Sequence, residues 1–250
     1  MLEHHWAGML FLAMTAVAWT APEPPARLHL VGDSTMADKP KDPPNPETGW
    51  GQVLPQFFVD PARIVNHAVN GRSTKSFIAE GKWQGVVDSL RAGDWVIIQF
   101  GHNDAKTEDS TRYAAPRGAY QENLRRMVRD VRARGATPVL ATPAARRRWN
   151  AKGELDDTHG EYPDAMREVA AREGVPLLEM HKLTMELVRA HGVEGSKQLY
   201  LHYPAGVFTR KPDGYNDDTH FSEYGALRVA SLAVQEMMRL GLPLCEWMKR

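Results

Sequence analysis

Much that would quickly betray a protein's habits is scarce in this sequence. In 250 residues there is one cysteine, Cys245, so no intramolecular disulfide can form. With no acid–base partner beside it in the sequence, Cys245 reads as a packing residue. Net charge is missing too, because Lys+Arg and Asp+Glu both number 31. That balance argues against nucleic acid or an anionic membrane as the main partner, since both favour a basic excess. No apolar run reaches the about 20 residues a membrane-spanning helix needs. Gly71–Ser76 (GRSTKS) lacks the Gly-x-x-x-x-Gly-Lys spacing of a phosphate loop, so no nucleotide is implied. There is no His-Glu-x-x-His pattern and no cysteine pair, which disfavours a metallohydrolase built from His102, Asp104, His159, Asp218 and His220. Neither a metal nor any other cofactor is expected.

What is present fits an ordinary globular chain. Apolar residues make up 42% and charged residues 25%, enough to build a full core in one α/β domain. The apolar stretch Ala7–Ala18 is followed by Pro22-Glu23-Pro24-Pro25. It has the length of a signal-peptide core, with Ala16-Val17-Ala18 as an A-x-A cleavage site, although no Lys or Arg precedes it. Residues 1–26 are therefore expected to be a signal peptide and lead-in, and 27–250 a single domain. The mature protein is then secreted or periplasmic, with no membrane attachment.

From Arg27 onward, strand-like and helix-like stretches alternate. Leu28–Val31, Arg63–Val69, Asp94–Phe100, Pro138–Thr142 and Val175–Glu179 are the strand candidates. Consecutive apolar residues such as Val96-Ile97-Ile98 indicate strands buried on both faces. Helices are expected over Gly51–Phe58, Lys82–Arg91, Arg117–Arg134, Pro163–Glu173, His181–His191 and Ser222–Leu240. Tyr120, Leu124, Met127, Val128 and Val131 form one apolar stripe, and Gly135, Gly174 and Gly241 stand at helix stops. The alternation predicts an α/β fold, a doubly wound parallel sheet with helices on both faces. Pro40–Pro46 reads as an irregular loop. Ligands of such sheets sit beyond the carboxyl ends of the strands.

Those strand ends carry the chemistry. Gly32-Asp33-Ser34-Thr35 ends the first, Asn70-Gly71-Arg72-Ser73 the second and Gly101-His102-Asn103-Asp104 the third. The Ser34 N–H, the Gly71 N–H and the Asn103 amide are three donors able to surround one developing oxyanion. Asp217-Asp218-Thr219-His220 stands before the last helix, where Asp217 and His220 can meet in a local loop as orienter and base for a serine nucleophile.

Together these blocks resemble the SGNH (GDSL-like) hydrolase family: Ser34, Gly71, Asn103 and His220 appear in the family's order, over Leu28 to about Leu240. Gly-Asp-Ser-Thr-Met, Thr48-Gly49-Trp50-Gly51, Gln99–Asp104, Asp157–Pro163 and Asp217–Gly225 resemble its rhamnogalacturonan acetylesterase-like branch, carbohydrate esterase family 12. The resemblance implies a flavodoxin-like SGNH hydrolase fold and a serine esterase that takes acetyl groups from a plant polysaccharide. It also favours Asp217/His220 over Asp156-Asp157-Thr158-His159, which repeats the same tetrapeptide. Candidate substrate contacts are Arg72, His102, His159, and the run Arg146, Arg147 and Arg148, of which one or two are expected to face the cleft. The expected partner is an acetylated polysaccharide or oligosaccharide. The alternatives are an SGNH lipase or thioesterase acting on small esters, and a non-catalytic sugar-binding module using the seven tryptophans.

Overall fold

A computed structural model describes residues 25–249; most of the expected leader lies outside them. Five strands form one parallel sheet: β1 Leu28–Gly32, β2 Ile64–Asn66, β3 Trp95–Gln99, β4 Thr137–Ala141 and β5 Leu177–Leu178. Their order across the sheet is β2-β1-β3-β4-β5. This is the flavodoxin-like winding, whose switch point lies between β1 and β3, where the chain turns from building one side of the sheet to the other.

Alternate side chains of each central strand feed two cores. Leu28, Leu30, Ile97 and Val139 pack with Trp50, Val53, Val188, Val229 and Met237. Val31, Val96, Ile98 and Leu140 pack on the other face with Phe77, Trp83, Leu124, Met166 and Val169. The first core is covered by α1 Trp50–Val53, α6 Met180–Gly195 and α7 Glu223–Arg239. The second is covered by α2 Thr74–Ala79, α3 Lys82–Ser89, α4 Gln121–Ala133 and α5 Tyr162–Glu173. All five residues of the Tyr120–Val131 stripe are fully buried.

Several expectations need correction. The alternation is not strict. α2 was not foreseen; Ser73 opens it by accepting from the Ser76 N–H while the Ser76 hydroxyl accepts from the Ser73 N–H, at 3.1 and 2.9 Å. Its sequence is part of the stretch compared above with a phosphate loop. The helix expected from Arg117 begins at Gln121, because Gly118 adopts φ −137, ψ −115. The edge strands β2 and β5 are shorter than expected, although the His67 and Val69 N–H groups still donate to the carbonyls of Leu30 and Gly32. Most consequential is an antiparallel pair, β6 Tyr200–Tyr203 with β7 Tyr215–Phe221. Asp217 and His220 thus lie on a strand. The register jumps from Leu201↔Asp217 to Tyr200↔Phe221, so Asp218, Thr219 and His220 bulge out of it.

Cys245 is reduced and partly buried against the first core. Among the described residues no helix is long and apolar enough to cross a membrane.

Candidate active site

The turn after β1 is built by Asp33. Its carboxylate accepts from the Thr35 N–H at 2.9 Å and from the Thr35 hydroxyl at 2.8 Å, while its carbonyl receives the Met36 and Ala37 N–H groups. That tight Asx-type turn leaves Ser34 partly exposed at the sheet rim. A buried hydrogen-bond chain holds it from below: Trp50 Nε1 donates to Gln99 Oε1 at 2.8 Å, and Gln99 Nε2 to Thr35 Oγ1 at 2.9 Å. His102, also buried, places Nδ1 3.2 Å from the second Asp33 oxygen.

On the other side stands the β7 bulge. Asp217 Oδ1 accepts from the Thr219 and His220 N–H groups at 2.7 and 3.0 Å, closing the bulge. Asp217 Oδ2 then lies 2.8 Å from His220 Nδ1, and His220 Nε2 lies 2.9 Å from Ser34 Oγ. The structure thus brings together Ser34, His220 and Asp217, three residues from opposite ends of the chain. Burial alone would lower the proton affinity of His220, but the hydrogen bond and charge of Asp217, helped by Glu47, raise its pKa above 6.5. Burial would likewise raise Asp217, yet the His220 ring and two backbone donors hold it down at about 2. Such a chain can draw the proton from a serine hydroxyl.

A cavity of about 460 Å³ opens beside Ser34, lined also by Gly71, His102, Asn103, Arg146 and His220. Gly71 turns there with φ +73, a conformation that favours glycine. Among the described residues, neither the Ser34 nor the Gly71 N–H has an acceptor within the chain. Asn103 spends one amide hydrogen on the Arg72 carbonyl at 3.0 Å, and its second remains for a ligand. Three donors therefore border one polar space.

The basic candidates divide. Arg146 lines the cavity, steadied by Thr158 and the His102 carbonyl at 3.2 Å each. Arg147 does not reach it; the side chain is buried against Asp218 at 2.8 Å, Ser196 at 3.0 Å and the Val193 carbonyl at 2.6 Å. Arg148 is exposed and outside the lining. Arg72 pairs with Glu80 at 2.9 Å and is likewise absent from the lining. His159 is buried behind His102, the two rings edge to face at 4.6 Å. The five residues of the metallohydrolase alternative are parcelled out, Asp104 to Thr74, Asp218 to Arg147 and His202, and His220 to the serine.

Sequence reasoning missed Glu47, which lines the cavity with Oε1 3.9 Å from His220 Nε2. It is neutralised by the buried Lys39 ammonium at 2.7 Å, which also donates to Asn70. Its neighbour Thr48 begins the quoted Thr-Gly-Trp-Gly block, the one signal that pointed near it.

Comparison with known proteins adds the family. The model of the GDSL-like lipase/acylhydrolase family matches residues 30–228. The rhamnogalacturonan acetylesterase RhgT of Bacillus subtilis is 40% identical over 220 residues, 88% of this chain and 93% of that protein. YesY of the same organism, described as a probable rhamnogalacturonan acetylesterase, is 34% identical over 88% of this chain and 95% of its own length. The crystal structure of YxiM, also from B. subtilis, superposes with a TM-score of 0.75 at 26% identity. It covers 89% of this chain, which spans 58% of the YxiM chain.

Proposed function

Because the chain belongs to the GDSL-like lipase/acylhydrolase (SGNH) family and is a carboxylic ester hydrolase, we propose that it deacetylates a plant cell-wall polysaccharide through an acyl-enzyme on Ser34. The polymer we assign is rhamnogalacturonan, the backbone of a pectin. The observation that carries the serine chemistry is the unbroken chain Ser34 Oγ, His220, Asp217 at 2.9 and 2.8 Å, opening on the cavity. In the first half-reaction Ser34 Oγ attacks the acetyl carbonyl while His220 Nε2 takes its proton. The carbonyl oxygen becomes an alkoxide facing the Ser34 and Gly71 N–H groups and the free Asn103 amide hydrogen. As the tetrahedral intermediate collapses, the sugar oxygen leaves and receives the proton from His220, with acetate's acyl group left on Ser34. Water then repeats the sequence with His220 as base, releasing acetate and restoring the hydroxyl.

Support for a pectic substrate comes from the likeness to RhgT and YesY, and from Arg146 and Lys106 on the cavity wall. Rhamnogalacturonan carries a carboxylate in each disaccharide repeat, and Arg suits that contact. Such a polymer is met outside the cell, which accords with an apolar leader over residues 7–18. Acetate release from acetylated rhamnogalacturonan, acetylated xylan and a neutral aryl acetate tests the reading. The pectic polymer should give the highest kcat/KM; xylan equal to it would sink the substrate assignment. Undiminished turnover by pure Ser34→Ala would sink the acyl-enzyme.

A further inference from the structure

Away from Ser34, between β4 and the start of α6, lie three donors that the esterase chemistry does not use. Asp157 and His159, spaced as Asp-x-His, come from the segment before α5, and His181 from the first turn of α6. One ligand atom from each falls within a set no wider than 4.8 Å, and Asp157 Oδ1 is already 3.2 Å from His181 Nε2.

The telling residue is His159. It is 2% exposed, and both its ring nitrogens are buried without a hydrogen-bond partner. A buried imidazole with two idle nitrogens is an expensive arrangement, and native proteins rarely leave one unaddressed. Its ring stands edge to face with those of His102 and His181, centroids 4.6 and 5.3 Å apart, and neither neighbour caps a ring nitrogen. A neutral imidazole is the form that ligates a metal ion.

We propose that Asp157, His159 and His181 form a binding site for one zinc-class divalent cation, distinct from the Ser34 centre. Two imidazoles and a carboxylate suit Zn²⁺ or Co²⁺ and are a poor set for Mg²⁺ or Ca²⁺, which take oxygen. Zn–N and Zn–O bonds of about 2.0–2.1 Å bring tetrahedral donors to roughly 3.3 Å from one another, closer than the present outer spacing. Asp157 Oδ1 also accepts from the His159 N–H at 2.9 Å, which leaves the second oxygen of this 48% exposed side chain to turn toward an ion. An adjoining cleft of about 290 Å³, lined by Asp157, His181, Arg167 and Lys182, gives the ion a route in and a water for the fourth position. Bound there, the ion ties the segment before α5 to α6. Hydrolysis at Ser34 does not depend on it.

The test is titration of ZnCl₂ and CoCl₂ into the chelator-stripped full chain, followed by calorimetry and by the visible absorption of four-coordinate Co²⁺. One ion per chain should bind, and Zn²⁺ should raise the melting temperature, as any ligand of the native state does. His159→Ala and His181→Gln should each weaken binding by more than about 100-fold and abolish the thermal shift, with circular dichroism confirming that each variant is folded. A His4→Ala/His5→Ala double variant, which removes the sequence's adjacent histidine pair, should bind as the parent does. If either single variant does not fold, Asp157→Asn, at an exposed position, stands in and should weaken binding while shifting the Co²⁺ bands. The proposal is overturned if neither metal binds below about 1 mM, if binding survives loss of His159 and His181, or if it disappears with His4 and His5. A water buried between the rings, rather than an ion, would give the first of these results.

Discussion

Replacing Asp217 by Asn tests the site at a single atom pair. Asp217 Oδ1 is committed to two backbone donors, Thr219 and His220 N–H, at 2.7 and 3.0 Å. An asparagine here must keep its oxygen on those donors, because turning the amide over would set NH₂ against two N–H groups. Its NH₂ then faces His220 Nδ1, where the carboxylate oxygen stood at 2.8 Å. Nδ1 has to accept, so the ring's proton moves to Nε2 and points at Ser34 Oγ, 2.9 Å away. The imidazole becomes a donor to the very group it should deprotonate. A wrong tautomer in such a triad costs about 10⁴ in kcat, or about 5.5 kcal/mol of transition-state stabilisation. Because the bulge keeps both backbone bonds, melting temperature and KM for a neutral aryl acetate should change little. The wild-type rate should rise with pH through one ionisation above 6.5, where Asp217 raises His220, since the working imidazole is neutral. In Asp217→Asn the residual activity should follow a step displaced to lower pH, burial now acting without the carboxylate. Stopped-flow and steady-state release of p-nitrophenol supply both profiles. A loss smaller than tenfold with an unmoved pH step would refute the tautomer argument.

Other outcomes follow from the same geometry. Asn103→Ala should lower kcat by about 10²–10³ with KM nearly unchanged, since an oxyanion donor matters most as charge develops; a raised KM with intact kcat would make it a binding residue. Arg146→Ala should raise KM for acetylated pectic fragments and spare aryl acetate, and Arg148→Ala should do neither. Arg147→Ala should destabilise by on the order of 3 kcal/mol, because it leaves Asp218, Ser196 and the Val193 carbonyl without their guanidinium. Equal kinetic losses from Arg146→Ala on both substrates would argue for a structural role. Burial holds His29, His67, His102, His159 and His181 below 6.5, His67 down at about 4. The unfolded chain then takes up protons that the native one refuses, so the contribution of these five is full above about 6.5 and falls as pH drops toward 4, opposed in part by the buried carboxyl of Asp104, which burial raises to about 7. Each histidine contributes up to about 1.4 kcal/mol per pH unit in that window. Urea midpoints that stay level between pH 6.5 and 4.5 would contradict this.

The parallel sheet was legible because its evidence is local: Val96-Ile97-Ile98 and Val139-Leu140 declare strands wherever they stand in the chain. Ser34, Gly71 and Asn103 were legible for a related reason, each following a strand whose end the fold must bring to one rim. The β6–β7 pair was not. Its residues, such as Asp217, Asp218 and Thr219, are polar and half-buried, and what holds them is remote; the Arg147 N–H donates to the Asp218 carbonyl at 2.8 Å, and its guanidinium to the carboxylate. The arginine run was ambiguous because direction is set by backbone path. Burial alternates along residues 145–148, Ala145 and Arg147 buried, Arg146 partly exposed and Arg148 exposed. The histidine and aspartate cluster was invisible because His181 stands a whole helix away from Asp157 in the chain.

The two Asp-Asp-Thr-His copies show how far a tetrapeptide can go by itself. Both begin alike: in each, the second residue after an aspartate returns its N–H to that side chain, His159 to Asp157 at 2.9 Å and Thr219 to Asp217 at 2.7 Å. The turns, however, start at different aspartates of the tetrapeptide. In the first copy the leading Asp156 is exposed and meets Asn150 at 3.1 Å, which leaves no carboxylate for the His159 ring. In the second the trailing Asp218 is drawn away by Arg147 and His202, at 2.8 Å each. That removal lets the leading Asp217 close the bulge and meet His220 from the same carboxylate. The dyad therefore belongs to the hairpin and its buried arginine more than to the four residues. A chain that kept the tetrapeptide but lost the Arg147 guanidinium would keep every side chain of the triad, with His202 alone left to hold the Asp218 carboxylate aside.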